Sequence, residues 1–347
     1  MPTGTPLEQL EEQAKASDRL GSPFTARLCR LLGQRLDRST AFGARILDWP
    51  GDAFADNVAL RACGAIHALA RSGDEPRLTA AYPPSVATAD QLWAAFADAL
   101  PRHDAFLTEW LSSAPQTNEV ARSALILGGM LHIADAARLP LEILEVGASA
   151  GLNLAFDQYR YALGEGRVWG RADAPLLIDC PWRGPSPPLD APLRVVARAG
   201  SDLRPIDATS AVDRERLLSY VWADQQHRLE RVETALALAA AEHRTIDRAD
   251  AAEWVESKLR SPRPPGTTRV LYHTIVWDYL PAATKARIDA AVASAAATAT
   301  TDAPFARLTI ESDEIPGSAR IAITVWPTGI TRTLGRGDFH GRWAEWT

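Results

Sequence analysis

Residues Leu141–Leu154, LEILEVGASAGLNL, carry the pattern with the most chemical potential in this 347-residue chain. An apolar run ends in Glu145, turns through Gly147 and Gly151, and predicts a helix opening at Asn153. Such a turn lets a ligand approach bare backbone, and a helix start offers N–H groups without intrahelical partners. Glu145, at the strand end, can accept from an ammonium or a hydroxyl group. The same residues read Gly147-Ala148-Ser149-Ala150-Gly151, a GxSxG pattern that would make Ser149 a nucleophile on an elbow. In a third reading the glycines serve packing alone.

Three downstream turns bear on that choice. Gly200-Ser201-Asp202-Leu203-Arg204-Pro205 follows a strand, where a carboxylate can take both hydroxyls of a ribose. Asp202 lies far beyond the usual offset of about 20 residues, so Asp179, ending PLLID, is a rival acid. Asp250-Ala251 follows TIDRA; Asp250 could accept from an adenine amino group, cap the helix after it, or do both. His273-Thr274-Ile275-Val276-Trp277 ends a buried strand, which makes His273 a candidate base and equally a satisfied core histidine.

The hydrolase reading needs Asp278 or Asp313 and His340 as partners of Ser149. It also needs several strands before the elbow, where this chain reads as helical, and no HGGG-like oxyanion segment precedes it. The cofactor reading lacks the GxGxxG spacing of nicotinamide sites. Its E-x-G-x-x-x-G-x-N form is similar to the first motif of class I S-adenosylmethionine-dependent methyltransferases. On that reading Glu145, Gly147, Ala148, Ser149, Gly151, Asn153, Asp202, Leu203, Asp250 and Ala251 line the cofactor.

Other residues could edge the same site. Pro115-Gln116-Thr117-Asn118-Glu119 is unusually polar for the start of an apolar helix. Gln116, Asn118 and Arg122 could touch cofactor or substrate, or this stretch could simply cap the helix. Asp157 and Tyr161 would share a helical face at i and i+4, with Tyr159 or Tyr161 as a general acid or base, or all three as a hydrogen-bonded surface. Trp277 and Tyr279 read as core aromatics or as a substrate shelf. The charges across Arg214–Arg231 read as a solvated face.

The elements that must position these residues follow from periodicity. Before Leu141 the chain reads as helices only: Leu28, Leu31, Leu32 and Leu36 recur at helical spacing, as do Ala59, Cys63, Ile66, Leu69 and Ala70. Asp90–Leu100 repeats the pattern, and a longer helix starts near Thr117–Asn118. After Leu141, strands at 142–146, 194–197, 244–248 and 269–277 alternate with helices at 153–161, 218–236 (with a break near Asp224) and 282–297. Ala306–Glu311 and Ala319–Trp326 alternate like antiparallel strands, and Phe339–Trp346 adds a last one. The stretch 169–192, rich in Pro and Gly, reads as an insertion. Alternating strands and helices imply a mostly parallel sheet covered on both faces.

Composition narrows the function classes. Hydrophobic residues make up 46% of the chain, enough for a substantial core, and the net charge of −6 gives no general reason to expect a nucleic-acid partner. The three cysteines (Cys29, Cys63 and Cys180) are odd in number and widely separated, which points to a reducing compartment. No CxxC or HxxxH spacing supports a metal site. The N-terminus is unlike a signal peptide and no apolar run is long enough to span a membrane, so a cytoplasmic protein is expected.

Taken together, PQTNEVARS (Pro115–Ser123), LEVGASAGLNLAFDQYRY (Leu144–Tyr161), ARAGSDLRPID (Ala197–Asp207), LLSYVWADQ (Leu217–Gln225), DRADAAEWV (Asp247–Val255) and YHTIVWDYLP (Tyr272–Pro281) resemble an uncharacterised bacterial family, the domain of unknown function numbered 2332. The resemblance runs over nearly the whole chain. It implies a helical region over 1–138, then a doubly wound, Rossmann-like and methyltransferase-like α/β domain over 139–347. That domain has antiparallel C-terminal strands and an insertion at about 165–192. S-adenosylmethionine is the expected cofactor and a small molecule the expected acceptor. A non-catalytic nucleotide- or ligand-binding protein on the same fold is the alternative.

Overall fold

The computed structural model describes residues 4–347. The helices are α1 (Pro6–Arg19), α2 (Pro23–Arg35), α3 (Ala41–Leu47), α4 (Val58–Ser72), α5 (Pro76–Ala81), α6 (Ala89–Trp110), α7 (Ser123–Ala137), α8 (Ala211–Ser219), α9 (Gln226–Ala241), α10 (Ala251–Arg260) and α11 (Ala282–Ala297). Two compact units emerge, Met1–Thr117 with Ala211–Glu233, and Asn118–Ser210 with Thr234–Thr347. A boundary at 138/139 therefore differs from the observed division in two respects. Helix α7 is apolar nearly all round and belongs with the sheet. Leu217, Leu218 and Tyr220 are buried, and their segment belongs with the first unit's helices.

In the first unit, prolines at N1 or N2 start α1, α2 and α5, and Thr88 with Gln91 closes a capping box on α6. The heptad-like apolar positions of α2 and α4 are buried as their spacing predicts. Gly64 of α4 is there for Tyr220: a Cβ at this position would stand 2.5 Å from the tyrosine ring.

The second unit is built on a sheet of nine strands. In chain order the strands are β1 (Leu141–Val146), β2 (Arg160–Ala162), β3 (Val168–Trp169), β4 (Leu177–Asp179), β5 (Trp182–Arg183), β6 (Val195–Asp202), β7 (Asp247–Arg248), β8 (Thr268–Thr274), β9 (Phe305–Ser312), β10 (Ala319–Trp326), β11 (Ile330–Gly337) and β12 (Ala344–Trp346). The sheet order is β5-β12-β11-β10-β9-β8-β1-β6-β7. The run β7-β6-β1-β8-β9 is parallel, and β9 through β12 form an antiparallel meander. The fold is thus mixed α/β with a large, mostly parallel sheet. Strand β9 does double duty, pairing parallel with β8 and antiparallel with β10.

Three features depart from the sequence expectations. The helix expected over 153–161 is a 3₁₀ segment, Leu152–Gln158, broken at Ala155 and followed by β2. Two tyrosine hydroxyls tie this segment down: Tyr159 donates to Leu152 O at 2.7 Å and Tyr161 to Phe156 O at 2.6 Å. The insertion is not simply a loop, because β2, β3 and β4 make a second small sheet and β5 pairs with β12 at the edge of the main one. Finally, Val120–Ala137 is an apolar stretch of membrane-spanning length, which the sequence reading did not expect. It is 72% buried and packs on the sheet as a core helix.

Helix α7 meets the sheet through paired glycines. A Cβ on Gly129 would stand 2.5 Å from Leu308 Cδ1, and one on Gly128 would collide with the Trp346 ring. Alanine normally stabilises a helix interior by about 1 kcal/mol over glycine. Here overpacking, at about 1–3 kcal/mol, opposes that gain. Gly129→Ala is therefore expected to lower stability, read as a lower denaturation midpoint at unchanged m-value.

Candidate functional site

Strand β1 lies between β6 and β8, where the parallel strand order reverses. In sheets of this kind, ligands bind outside the carboxyl ends of the strands at that switch point. The turn Gly147–Gly151 occupies this place. Gly147 (φ 73°), Ser149 (φ 54°) and Gly151 (φ 67°) all take left-handed backbone conformations. For serine this costs roughly 1–2 kcal/mol.

The turn is pinned from several sides. Gly147 N and Ala148 N both donate to Ser201 O at 2.9 Å, Ser149 N to Asp202 Oδ2 at 3.0 Å, and Gly151 N to Ala148 O at 2.7 Å. Leu152 N donates to Asn118 Oδ1 at 3.0 Å, and the Arg244 guanidinium donates to Gly151 O at 2.9 Å. Most of the N–H groups expected to stay bare for a ligand, those of Gly147, Ala148, Ser149, Gly151 and Leu152, are therefore already bonded within the protein. The space left by the missing Cβ atoms is also filled, by Val276 against Gly147 and by Ile246 and Arg244 against Gly151. Both glycines thus have packing reasons of their own.

What stays unsatisfied is a set of side-chain atoms. Among the described residues, Glu145 Oε2, Ser149 Oγ, Asn153 Oδ1 and Tyr272 Oη are buried without a well-formed hydrogen bond, and Glu145 and Tyr272 interact with each other. Glu145 and Tyr272 are register partners on β1 and β8, so they share a sheet face. Burial pushes the Glu145 carboxyl up to about 8; nearby Tyr272, Arg122 and Arg244 pull it down without restoring its ordinary value. At neutral pH Glu145 is therefore largely protonated.

The other sequence candidates divide into groups. Asp202 ends β6 beside β1, with Oδ1 accepting from Arg204 N at 2.9 Å, and Leu203 next to it is 66% exposed. Asp179, by contrast, is exposed on the small sheet. Asp250 caps α10, its Oδ1 accepting from Ala252 N at 2.9 Å and Glu253 N at 3.2 Å, and Ala251 is that helix's first residue. Arg122 is anchored to Thr274 Oγ1 and Phe339 O. Asp157 pairs with Arg198 at 2.9 Å. Gln116 is counted with the first unit and is half-buried.

The three candidate proton carriers have structural work. His273 is buried, with Nδ1 2.6 Å from Glu311 Oε1 and Nε2 3.1 Å from Arg307. Arginine only donates, so Nε2 is the accepting nitrogen and Nδ1–H donates to Glu311. The ring stacks on Trp277 at 4.7 Å, and burial lowers its pKa despite Glu311. Tyr159 and Tyr161 are fully buried, and their hydroxyls donate to the backbone. Trp277 is half-buried, whereas Tyr279, expected in the core, is 77% exposed. Ser149 Oγ has no hydrogen-bond partner, so no histidine primes it. Asp278 binds Ser312, and Asp313 binds Arg336 at 2.7 Å.

Sequence reasoning missed Tyr272, Arg244, Ile246 and Glu311. Tyr272 was legible as a strand residue in register with Glu145. The others come from loops and neighbouring strands, and no local pattern announces them.

Comparison with known proteins gives one match. A family described as "Uncharacterized protein conserved in bacteria (DUF2332)" matches residues 7–346. No curated protein and no solved structure matches the chain significantly.

The buried carboxyl has a pH signature. Its folded pKa lies above the ordinary 4.5, so the folded state holds the proton more tightly than the unfolded chain. Its destabilisation is absent below that ordinary value, grows as pH rises, and is complete above about 8. Glu145→Gln should therefore leave stability at pH 4 nearly unchanged and raise it at pH 8–9 by on the order of a few kcal/mol. Urea melts of both proteins across that range measure the difference.

Proposed function

The chain belongs to the bacterial DUF2332 family, and from that premise we propose that it is an S-adenosylmethionine-dependent methyltransferase with a small-molecule acceptor. The observation that carries this reading is the polarity of the atoms left over at the β1 tip. The backbone N–H groups of Gly147, Ala148, Ser149, Gly151 and Leu152 are bonded, whereas Asn153 Oδ1, the Ser149 hydroxyl and Glu145 Oε2, which is an acceptor once Glu145 is ionised, are left over. A phosphate-bearing nucleotide wants donors. A ligand bearing an ammonium and hydroxyl groups wants acceptors, and this site offers them.

Within this reading Glu145 takes the ammonium. Asp202, whose carboxylate accepts from Ser149 N and Arg204 N among its partners, takes the ribose hydroxyls. Exposed Leu203 offers an apolar surface to the base. Asp250 continues as a helix cap while it faces the adenine amino group. When bound, S-adenosylmethionine supplies a methyl group on a positively charged sulfur. The protein's share is then orientation and water exclusion.

A second reading draws on a different fact. His273, Tyr159 and Tyr161 all have committed polar atoms, which suits a protein that binds the same ligand without turning it over.

Titration calorimetry with S-adenosylmethionine and S-adenosylhomocysteine separates these readings from neither being correct. Binding by folded protein is expected, weakened at least tenfold in Asp202→Ala. Glu145 must lose its proton to hold an ammonium, so affinity should rise with pH by up to about tenfold per unit below pH 8. Glu145→Gln should flatten that slope. Binding without homocysteine-compound formation across a panel of small acceptors favours the second reading, and no binding at all removes both.

A further inference from the structure

We propose that Cys29 and Cys63 form an oxidisable dithiol, which hydrogen peroxide closes into a disulfide joining α2 to α4. The two sulfurs stand 3.5 Å apart, in van der Waals contact and already hydrogen-bonded. A disulfide draws them to about 2.0 Å, a step that side-chain rotation on two packed helices can supply. Both residues sit in the first unit, so the inference does not depend on the function proposed for the second.

The surroundings suit a small oxidant. Cys63 lines a cavity of about 20 Å³ together with His67, Tyr82, Ser219 and Tyr220. A space of that size admits one water-sized molecule. The Tyr82 hydroxyl on its wall is 94% buried by residue exposure (6% exposed) and has no partner, so it can hydrogen-bond a molecule held there. His67 stays neutral, because burial drives its pKa down to about 4 and its Nδ1 lies 3.0 Å from Ser219 O.

The two thiols are not equivalent. Cys29 is wholly buried, and its thiol is pushed up by the hydrogen bond to Cys63 and by burial. Cys63 is 8% exposed and faces the cavity. The order of events follows. Cys63 sulfur attacks one peroxide oxygen as it gives up its proton; the O–O bond breaks, and the departing oxygen takes up that proton and leaves as water. Cys63 is then a sulfenic acid. Cys29 sulfur attacks Cys63 sulfur, the S–O bond breaks, and a second water leaves with the thiol's proton. Two thiols lose two electrons, and one peroxide becomes two waters. The bond closes a loop between residues 34 apart in sequence, which restricts the unfolded chain and makes the oxidised form more resistant to unfolding.

The test uses the full chain at native pH. Hydrogen peroxide should remove two hydrogens in mass, and non-reduced peptide mapping should join Cys29 to Cys63 while Cys180 stays a thiol. The oxidised protein should melt a few degrees higher, and a thiol reductant should reverse both changes. Cys180→Ser should behave like the parent. In Cys29→Ser, Cys63 should stop at a sulfenic acid captured by a dimedone-type probe. Should a Cys variant fail to fold, mapping of the unaltered protein decides alone. The proposal is overturned if Cys29 and Cys63 stay reduced under peroxide that oxidises Cys180, if Cys180 supplies the bridge, or if the bridge forms only in denaturant.

Discussion

The carboxylate of Asp202 fastens the end of β6 to the turn that follows β1, and the geometry of the candidate site depends on that contact. Ser149 N donates to it in a backbone conformation that serine avoids. One residue earlier, Ser201 O takes two consecutive N–H groups of the same turn. Ile206 N then returns to Ser149 O, so the chain leaving β6 clasps the turn from the other side. Remove the carboxylate and Ser149 N becomes a buried orphan donor, with nothing to offset its left-handed φ. The glycines on either side make the bend possible, but the acid selects this bend among those glycine allows.

The pinning has a second effect, on polarity. A turn with bonded N–H groups cannot serve as an anion cradle, although its sequence looks like one. The unmet groups lie instead on side chains, above all on Glu145. A buried carboxyl whose polar partners do not restore its ordinary pKa is destabilising, and proteins seldom keep one unless something else offsets the cost. Local rules broken in this way concentrate at functional sites. A cationic, donor-rich ligand would reverse the penalty by favouring the ionised form. The same carboxyl thus links fold stability to proton uptake in one residue.

Much of this was legible in the sequence, for reasons that can be named. Strands such as Thr268–Thr274, buried on both faces, announce themselves as runs of apolar and β-prone residues, and Ala282–Ala297 reads as a helix from its alanines alone. The turn after β1 was legible because glycine marks positive φ. The failures share a cause, which is competition from distant partners. In place of helix 153–161 stands a 3₁₀ segment whose carbonyls hold the hydroxyls of Tyr159 and Tyr161, and no propensity scale counts those bonds. Strand β11 escaped notice because Ile330–Thr333 is exposed and carries no alternation. Asn118 looked like a helix cap, yet Glu119 caps the 3₁₀ turn and Asn118 reaches Leu152 N instead.

His273 shows how far a residue type can mislead when its surroundings are unknown. Glu311 receives the ring N–H and also the N–H groups of Val276 and Trp277, with contacts of 3.2–3.3 Å to the backbone. Those bonds hold the turn after β8, in which Ile275 takes a left-handed φ of 52° that a β-branched residue rarely tolerates. Val276, fixed by this turn, is the side chain that fills the space beside Gly147. The histidine, with Arg307 on its far nitrogen, therefore works through packing: it orients Glu311, Glu311 orients the turn, and the turn presses Val276 against the bend after β1. A base there would have to break that chain of contacts to move a proton. The polar network around His273 is accordingly committed to building the wall beside the bend after β1.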